Sequence, residues 1–355
     1  MSIKKNLIVV DPFDNLGIRV NNILNYYKIF ILNHKPIFYI SEKITIKLIR
    51  NYLAMFLYHK INPFKFKYVL SLNKFTESDI LLDLNGVHKK VNELDLSNFK
   101  GKSFFHLLDF FFNPLETNNF LLKNNITYLL GYNYHDKYSD FFMKYYPTFK
   151  NKVVSIPFGY HKRFQPLNTF YKRQKKAVIL GSLNPINDPR CKKEEIKSYM
   201  EFFGKNNFMH PIRYKLAFDR ENLLYQKVID IRLPVYPQTK DFSYDAVEMM
   251  NRYQMFINDE SVLNFPPART YEGIAAGCVM VCTDNSIYKD LGFINKKNCI
   301  MFKKGDYEDL VKKIKYYQKN QKELAKIQKN SLKLAENFTH EKIADLLYEE
   351  IMKRA

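Results

Sequence analysis

A chain of 355 residues with 46% apolar content is too long for one ordinary core and is expected to fold as two domains. It has no low-complexity tract, no uncharged apolar run of the roughly 18 residues that a membrane span needs, and a first apolar run of only Leu7–Val10 that Asp11 closes at once. Disorder, a membrane span and a secretory signal are therefore not expected.

Lysine and arginine number 56 against 36 acids, a net charge of +20. Residues 1–165 carry 23 basic and 12 acidic groups, a balance of +11, which leaves +9 for the rest. The excess is spread along the chain. Such a potential attracts phosphates, nucleic acid or anionic lipid head groups without selecting among them, and a codon bias toward Lys and Asn explains the composition equally well. Cys191, Cys278, Cys282 and Cys299 lack metal-ligand spacing, so reduced core thiols and a cytoplasmic setting are expected.

In chain order, short β-branched or apolar runs recur: NLIVV, PIFYI, FKYVLSL, DILLDL, KSFFHLL, ITYLLG and KVVSIP. Helical patterns such as GIRVNNILNYYKIFILN and EKITIKLIRNYLAMFLYHKI separate some of them. That alternation predicts a parallel sheet covered by helices over residues 1–160. Around 161–176, periodicity gives way to basic and turn residues, which marks a linker. A second α/β domain over 177–335 follows, with AVILGS, QMFIN, CVMVCTD and NCIMF as strands and DPRCKKEEIKSYMEFF as a helix. DYEDLVKKIKYYQKN, KELAKIQKNSLKLAEN and THEKIADLLYEEIMKRA close the chain as helices, the last over 336–355.

The segment FPPARTYEGIAAGCVMVCTDN carries the most specific signal. Pro266 and Pro267 suit a first helical turn and Gly277 suits the position after the last, so a helix of about ten residues is expected before a buried strand. Arg269 and Glu272, three apart, share one face. An arginine at the positive end of a helix dipole is electrostatically misplaced unless an anion sits beside it. A guanidinium with free N–H groups makes a diphosphate site, and a carboxylate one turn deeper accepts two hydrogen bonds from a ribose diol. The plain alternative is a surface i,i+3 ion pair.

The run RTYEGIAAGCVMVCTDNSIYKDLGF resembles the nucleotide-sugar-binding segment of GT-B glycosyltransferases, in particular the spore-maturation-protein-like group. KVVSIPFGYHKRFQP resembles the end of the GT-B N-terminal domain and its crossover. KKAVILGSLNPINDPR resembles the first strand and glycine loop of the C-terminal domain, and ENFTHEKIADLLYEEI the terminal helix that packs back toward the N-terminal domain. The resemblance covers roughly residues 100–355. It implies two Rossmann-like domains facing across a cleft, the donor on the second and the acceptor on the first, brought together by closure. It also implies that Glu272 binds the ribose, that Arg269 with Pro266, Pro267 and Ala268 faces the diphosphate, that Gly181 and Ser182 lie close to the phosphates, and that Arg190 adds a second charge. Retaining members with two glutamates eight positions apart carry an acid where this chain has Asn264, so the contact with the donor sugar and the stereochemistry are left open.

Sugar transfer needs stabilisation of the leaving nucleotide diphosphate, which in the GT-B scheme helix dipoles and cationic side chains supply without a metal or other cofactor. A UDP-sugar is the favoured donor. The acceptor hydroxyl of a glycan, a lipid-linked sugar or a protein needs a base. Candidates are His106 and Asp109 in KSFFHLLDFF, with Asp11 and Asp14 in the first strand–helix loop. The aromatic clusters FFHLLDFFF and SDFFMKYYP are expected to be core. Gly101-Lys102-Ser103 echoes a phosphate loop, but Leu96 stands where the first glycine belongs and the triplet runs into a strand. No Gly-x-Gly-x-x-Gly supports a dehydrogenase and no histidine pair supports zinc. The rival reading is a non-catalytic two-domain binding protein, either a decayed transferase or a basic nucleic-acid-binding module. Contact with a membrane surface stays open.

Overall fold

A computed structural model describes residues 5–12, 25–41, 46–84, 94–181, 183, 194–204, 209–233 and 245–355. The chain divides into two compact units: residues 1–157, 194–202 and 340–355 form the first, and residues 158–193 and 203–339 the second.

The first unit is built on seven strands: β1 (Leu7–Val10), β2 (Ile37–Tyr39), β3 (Tyr68–Val69), β4 (Ile80–Asp83), β5 (Lys102–His106), β6 (Tyr128–Gly131) and β7 (Val153–Ser155). They pair in the order β3-β2-β1-β4-β5-β6-β7, every neighbour parallel. Seven apolar runs read from the sequence match these strands. Parallel strands covered on both faces have no polar side to present, and so the runs are continuous rather than alternating. The order steps outward from β1 in one direction and from β4 in the other, which is the doubly wound pattern. The aromatic clusters lie in the core as expected: Phe110 packs on Phe142 at 5.6 Å, and Phe142 stacks on Tyr146 at 5.1 Å.

Two later segments belong to this unit. Residues 194–202 join it through aromatic surface, with Tyr199 5.6 Å from Phe111 and Phe202 5.4 Å from Phe141. The Asn113 N–H donates to the Glu195 carbonyl at 2.8 Å. The last helix, His340–Arg354, packs on the helix Asn25–His34, where the Tyr348 and His34 rings stack at 3.8 Å.

The second unit carries five parallel strands, β8 (Gln174–Leu180), β9 (Ile229–Arg232), β10 (Tyr253–Ile257), β11 (Val279–Thr283) and β12 (Ile300–Phe302), in the order β12-β11-β10-β8-β9. The connection from β9 to β10 crosses over β8, and the switch point lies between β8 and β10. The stretch read as a linker is tied into this unit. Buried Arg173 donates to the Asn168, Met250 and Ala276 carbonyls and to Asn251 Oδ1, the last two at 2.9 Å.

Candidate functional site

In an open parallel sheet, ligands sit beyond the carboxyl ends of the strands at the switch point, because the diverging connections leave a crevice there. In the second unit that place is bounded by Gly181 after β8, by Asn258–Ser261 after β10, and by the short helix Arg269–Ala275 that leads into β11.

That helix has seven residues rather than ten. Ala268 is its N-cap, so Pro266 and Pro267 precede the helix instead of opening it. Gly277 does follow its last turn, at φ 74°. Two turns make a weak macrodipole, so the positive potential here comes from side chains. They converge on Gly181, whose φ of 133° places it outside the range of other residues. A β-carbon built there would lie 2.7 Å from Arg269 Nη2 and 2.8 Å from Arg213 Cζ and Nη1. Glycine at this position is what lets two guanidinium groups approach the backbone.

The two arginines differ in their commitments. Arg213, on the helix Pro211–Phe218, donates from Nε to Asp259 Oδ1 at 2.8 Å, with side-chain exposures of 3% and 2%. Burial pushes the Asp259 carboxyl above its ordinary value, and Arg213 and then Arg269 oppose the rise. His210 Nδ1 lies 3.8 Å from the same oxygen, and burial with Arg213 and Arg269 holds its pKa well below the usual range. Arg269 is partly exposed. Among the described residues its guanidinium makes no hydrogen bond or close ion pair, and neither does the Glu272 carboxylate. The i,i+3 ion pair is therefore not what holds these side chains. Burial raises the Glu272 pKa, while Arg269 and Arg163 pull it down.

Beside them, Glu260 is buried and accepts from Thr283 Oγ1 at 2.7 Å and from the Tyr288 hydroxyl at 3.1 Å, with Lys304 Nζ at 3.8 Å. Asn264 sits at φ 57°, and its Oδ1 accepts from Asn285 Nδ2 at 3.3 Å. The structure thus brings Gly181, Arg269, Glu272 and Asn264 to one end of one sheet. Ser182, Arg190 and Asp14 lie outside the described residues.

Sequence reasoning missed His210, Arg213, Asp259 and Glu260. The Asn258–Ser261 run, polar yet directly after the apolar stretch Met255–Ile257, was the available signal. It is also a strand-end pair of acids that the sequence reading passed over. Arg213 takes up the Asp259 charge, and among the described residues no three His, Cys, Asp or Glu side chains are grouped to hold a metal.

In the first unit the acid–base candidates part company. His106, at the end of β5, is 0% exposed and pairs through Nδ1 with the Tyr27 hydroxyl. Burial, helped by His135, lowers its pKa to about 3. Its ring is thus held neutral in the interior, out of contact with solvent. Asp109 is exposed in the loop beyond β5, at φ 36°. Asp11 is buried, and its carboxylate accepts from the Ser41 N–H at 2.9 Å and from the Ser41 hydroxyl.

Residues 226–348 match the family model described as glycosyl transferase-like. No protein of curated function matches the sequence. Among solved structures, Anabaena Alr3699/HepE in complex with UDP superposes with a TM-score of 0.53 at 10% identity, covering 99% of this chain and 100% of that one. A glycosyltransferase from Rickettsia africae ESF-5 gives 0.51 at 15% identity with the same coverage. Sucrose-phosphate synthase from Thermosynechococcus elongatus gives 0.50 at 9%, again over 99% and 100%. At such identities the likeness is one of fold. The chain thus shares its two-sheet fold with these structures, and its segment 226–348, which holds Asp259, Glu260, Arg269 and Glu272, is similar to glycosyl transferases.

Proposed function

We propose that the donor is a UDP-sugar held by the second unit and that the sugar passes to an acceptor hydroxyl served by the first. The observation that carries the donor assignment is the approach of the Arg213 and Arg269 guanidinium groups to Gly181 at the switch point. Arg213 is neutralised by Asp259, which leaves Arg269 as the charge available to a diphosphate. The backbone at Gly181 lies against the phosphates, and the sequence resemblance assigns Ser182 and the Arg190 cation to the same diphosphate. Pro267 and Ala268 line the approach.

Glu272 accepts from the ribose diol. An ionised carboxylate offers two oxygens and no competing donor, which suits a pair of hydroxyls. Asn264 faces the donor sugar. As the glycosidic bond breaks, negative charge builds on the departing diphosphate, and a fixed guanidinium stabilises that charge without reorganisation. In the first unit, Asp109 rather than the buried His106 takes the acceptor proton. Three buried free thiols, Cys278, Cys282 and Cys299, agree with work in the reducing cytoplasm.

Solved structures of the same fold hold UDP and glucose, which supports uridine as the first nucleotide to try. A thermal-shift series with UDP, GDP, dTDP and CMP tests the proposal. A ligand at a hundred times its Kd adds about 2.7 kcal/mol of stability, so the uridine nucleotide should move the transition most. Release of UDP from a panel of UDP-sugars then separates an enzyme from a binding protein. A shift with no turnover of any donor would favour the binding protein, and no shift with UDP would remove the donor assignment.

A further inference from the structure

Nine of the large apolar side chains that stand exposed among the described residues fall between Ile46 and Leu70. Ile46, Ile49, Leu53, Phe56 and Leu57 lie along the helix Ile46–Leu57 at helical spacing. Ile46 is 88% exposed and Phe64, in the turn after the helix, 85%. Helix, turn and edge strand make one surface: the Tyr52 ring lies 6.1 Å from both Phe64 and Tyr68. β3 ends its sheet, and among the described residues no further strand covers this side.

Along the segment that forms the patch the charges are of one sign. From Lys43 to Thr76 the chain carries seven Lys and Arg and no Asp or Glu, although 36 acids are distributed over the whole sequence. Arg50, Lys60, Lys65, Lys67 and Lys74 are exposed. An open cavity of about 520 Å³, lined by Ile37, Lys67, Tyr68 and Lys74 among others, adjoins the patch with two ammonium groups at its wall.

We propose that this face docks on an anionic lipid bilayer, with the apolar stripe entering the acyl boundary and the lysines pairing with head groups. Protruding leucine, isoleucine and phenylalanine beside lysines is the composition of a surface that lies in a membrane interface. A second copy of the chain fits less well, because a two-fold contact would set lysines against lysines. A nucleic-acid groove gains nothing from exposed aliphatic side chains. The inference stands apart from the donor assignment and survives its failure.

The test is flotation of the full chain with vesicles of phosphatidylcholine alone and of phosphatidylcholine with roughly a third phosphatidylglycerol. Wild-type protein should float with the anionic vesicles only, and release as salt is raised to about 1 M, where the screening length is about 3 Å. The Leu53→Asp/Phe56→Asp variant should lose about tenfold or more in partitioning by removing the inserted side chains. In Lys60→Glu/Lys65→Glu, each reversed charge should cost at least about fivefold. All four positions are exposed, and circular dichroism checks the fold; should the first variant unfold, the lysine variant supplies the same readout. Equal binding of wild type and both variants, or no preference for anionic vesicles, overturns the proposal. So does self-association in sedimentation velocity that Leu53→Asp/Phe56→Asp abolishes while vesicles fail to bind, or retention by nucleic acid in place of vesicles.

Discussion

Arg213 and Asp259 meet in the interior of the second unit, Nε to Oδ1 at 2.8 Å, and the Arg213 backbone N–H donates to Oδ2 of the same carboxylate at 3.3 Å. The pair joins the start of the helix Pro211–Phe218 to the turn after β10. Removing one partner leaves a buried charge uncompensated, so Asp259→Asn should cost about 3–5 kcal/mol in denaturant unfolding. Replacing both, as Arg213→Met/Asp259→Leu, should recover most of that loss, because the desolvation penalty goes with the charges. A single variant losing under about 1 kcal/mol would show that the pair is not what fixes this corner.

Gly181→Ala places a methyl 2.7 Å from Arg269 and 2.8 Å from Arg213, at a backbone angle that alanine rarely adopts. The strain should cost about 1–3 kcal/mol. Both guanidinium groups must also retreat, and UDP affinity by calorimetry should fall further than the fold loosens. Unchanged affinity in a destabilised protein would mean that the arginines do not face the ligand.

Much of this architecture could be read from residue patterns. Eleven of the twelve strands among the described residues follow apolar runs, since a parallel sheet buried on both faces leaves continuous hydrophobic segments. β9 escaped for the same reason reversed. It is an edge strand of sequence IDIR, in which Asp230 pairs with Arg232, so its pattern reads as polar. Arg269 and Glu272 were legible because their spacing and position made a local anomaly. Arg213 was not, because its partner Asp259 is 46 residues away and only the fold joins them. The segment 194–202 is likewise unreadable along the chain, since Tyr199 and Phe202 find their partners at Phe111 and Phe141.

Acid should destabilise the first unit through two histidines. Burial lowers the pKa of His106 and of His135 from 6.5 to about 3. Below the unfolded value the unfolded chain binds protons that the native state refuses, so stability falls as pH drops from 6.5 toward 3. At about pH 5 each histidine should have cost about 2 kcal/mol relative to neutral pH. Denaturant midpoints for wild type and His135→Gln across this range check it. The variant should lose about half of the histidine-dependent slope, and an unaltered slope would show that His135 titrates normally in the folded chain.

The site helix lies unusually close to its sheet. A β-carbon on Gly273 would fall 2.5 Å from Cε1 and Cζ of Phe256, which is buried on β10. Gly273→Ala should therefore destabilise by about 1–3 kcal/mol despite the better helix propensity of alanine. Adding Phe256→Leu makes room, and the double-mutant cycle should show coupling of at least about 0.5 kcal/mol. Strict additivity would mean that the helix shifts as a body and that its distance from β10 is not critical.

Glu272 separates a residue kept for a ligand from one kept for the fold. Its carboxyl is pushed up by burial and, among the described residues, finds no hydrogen-bond donor, so its charge costs stability in the free protein. Glu272→Gln keeps the shape and removes that charge, and the variant should melt at or above the wild-type temperature. A ribose diol presents two donors, which a carboxylate accepts with two oxygens and an amide with only one. UDP affinity should then fall by about 1.5–3 kcal/mol, roughly ten- to 150-fold, in calorimetry. The wild type should also bind 2′,3′-dideoxy-UDP more weakly than UDP, a difference that Glu272→Gln largely erases. If the variant still tells the two nucleotides apart, the ribose contact belongs to another residue, even where overall affinity has dropped.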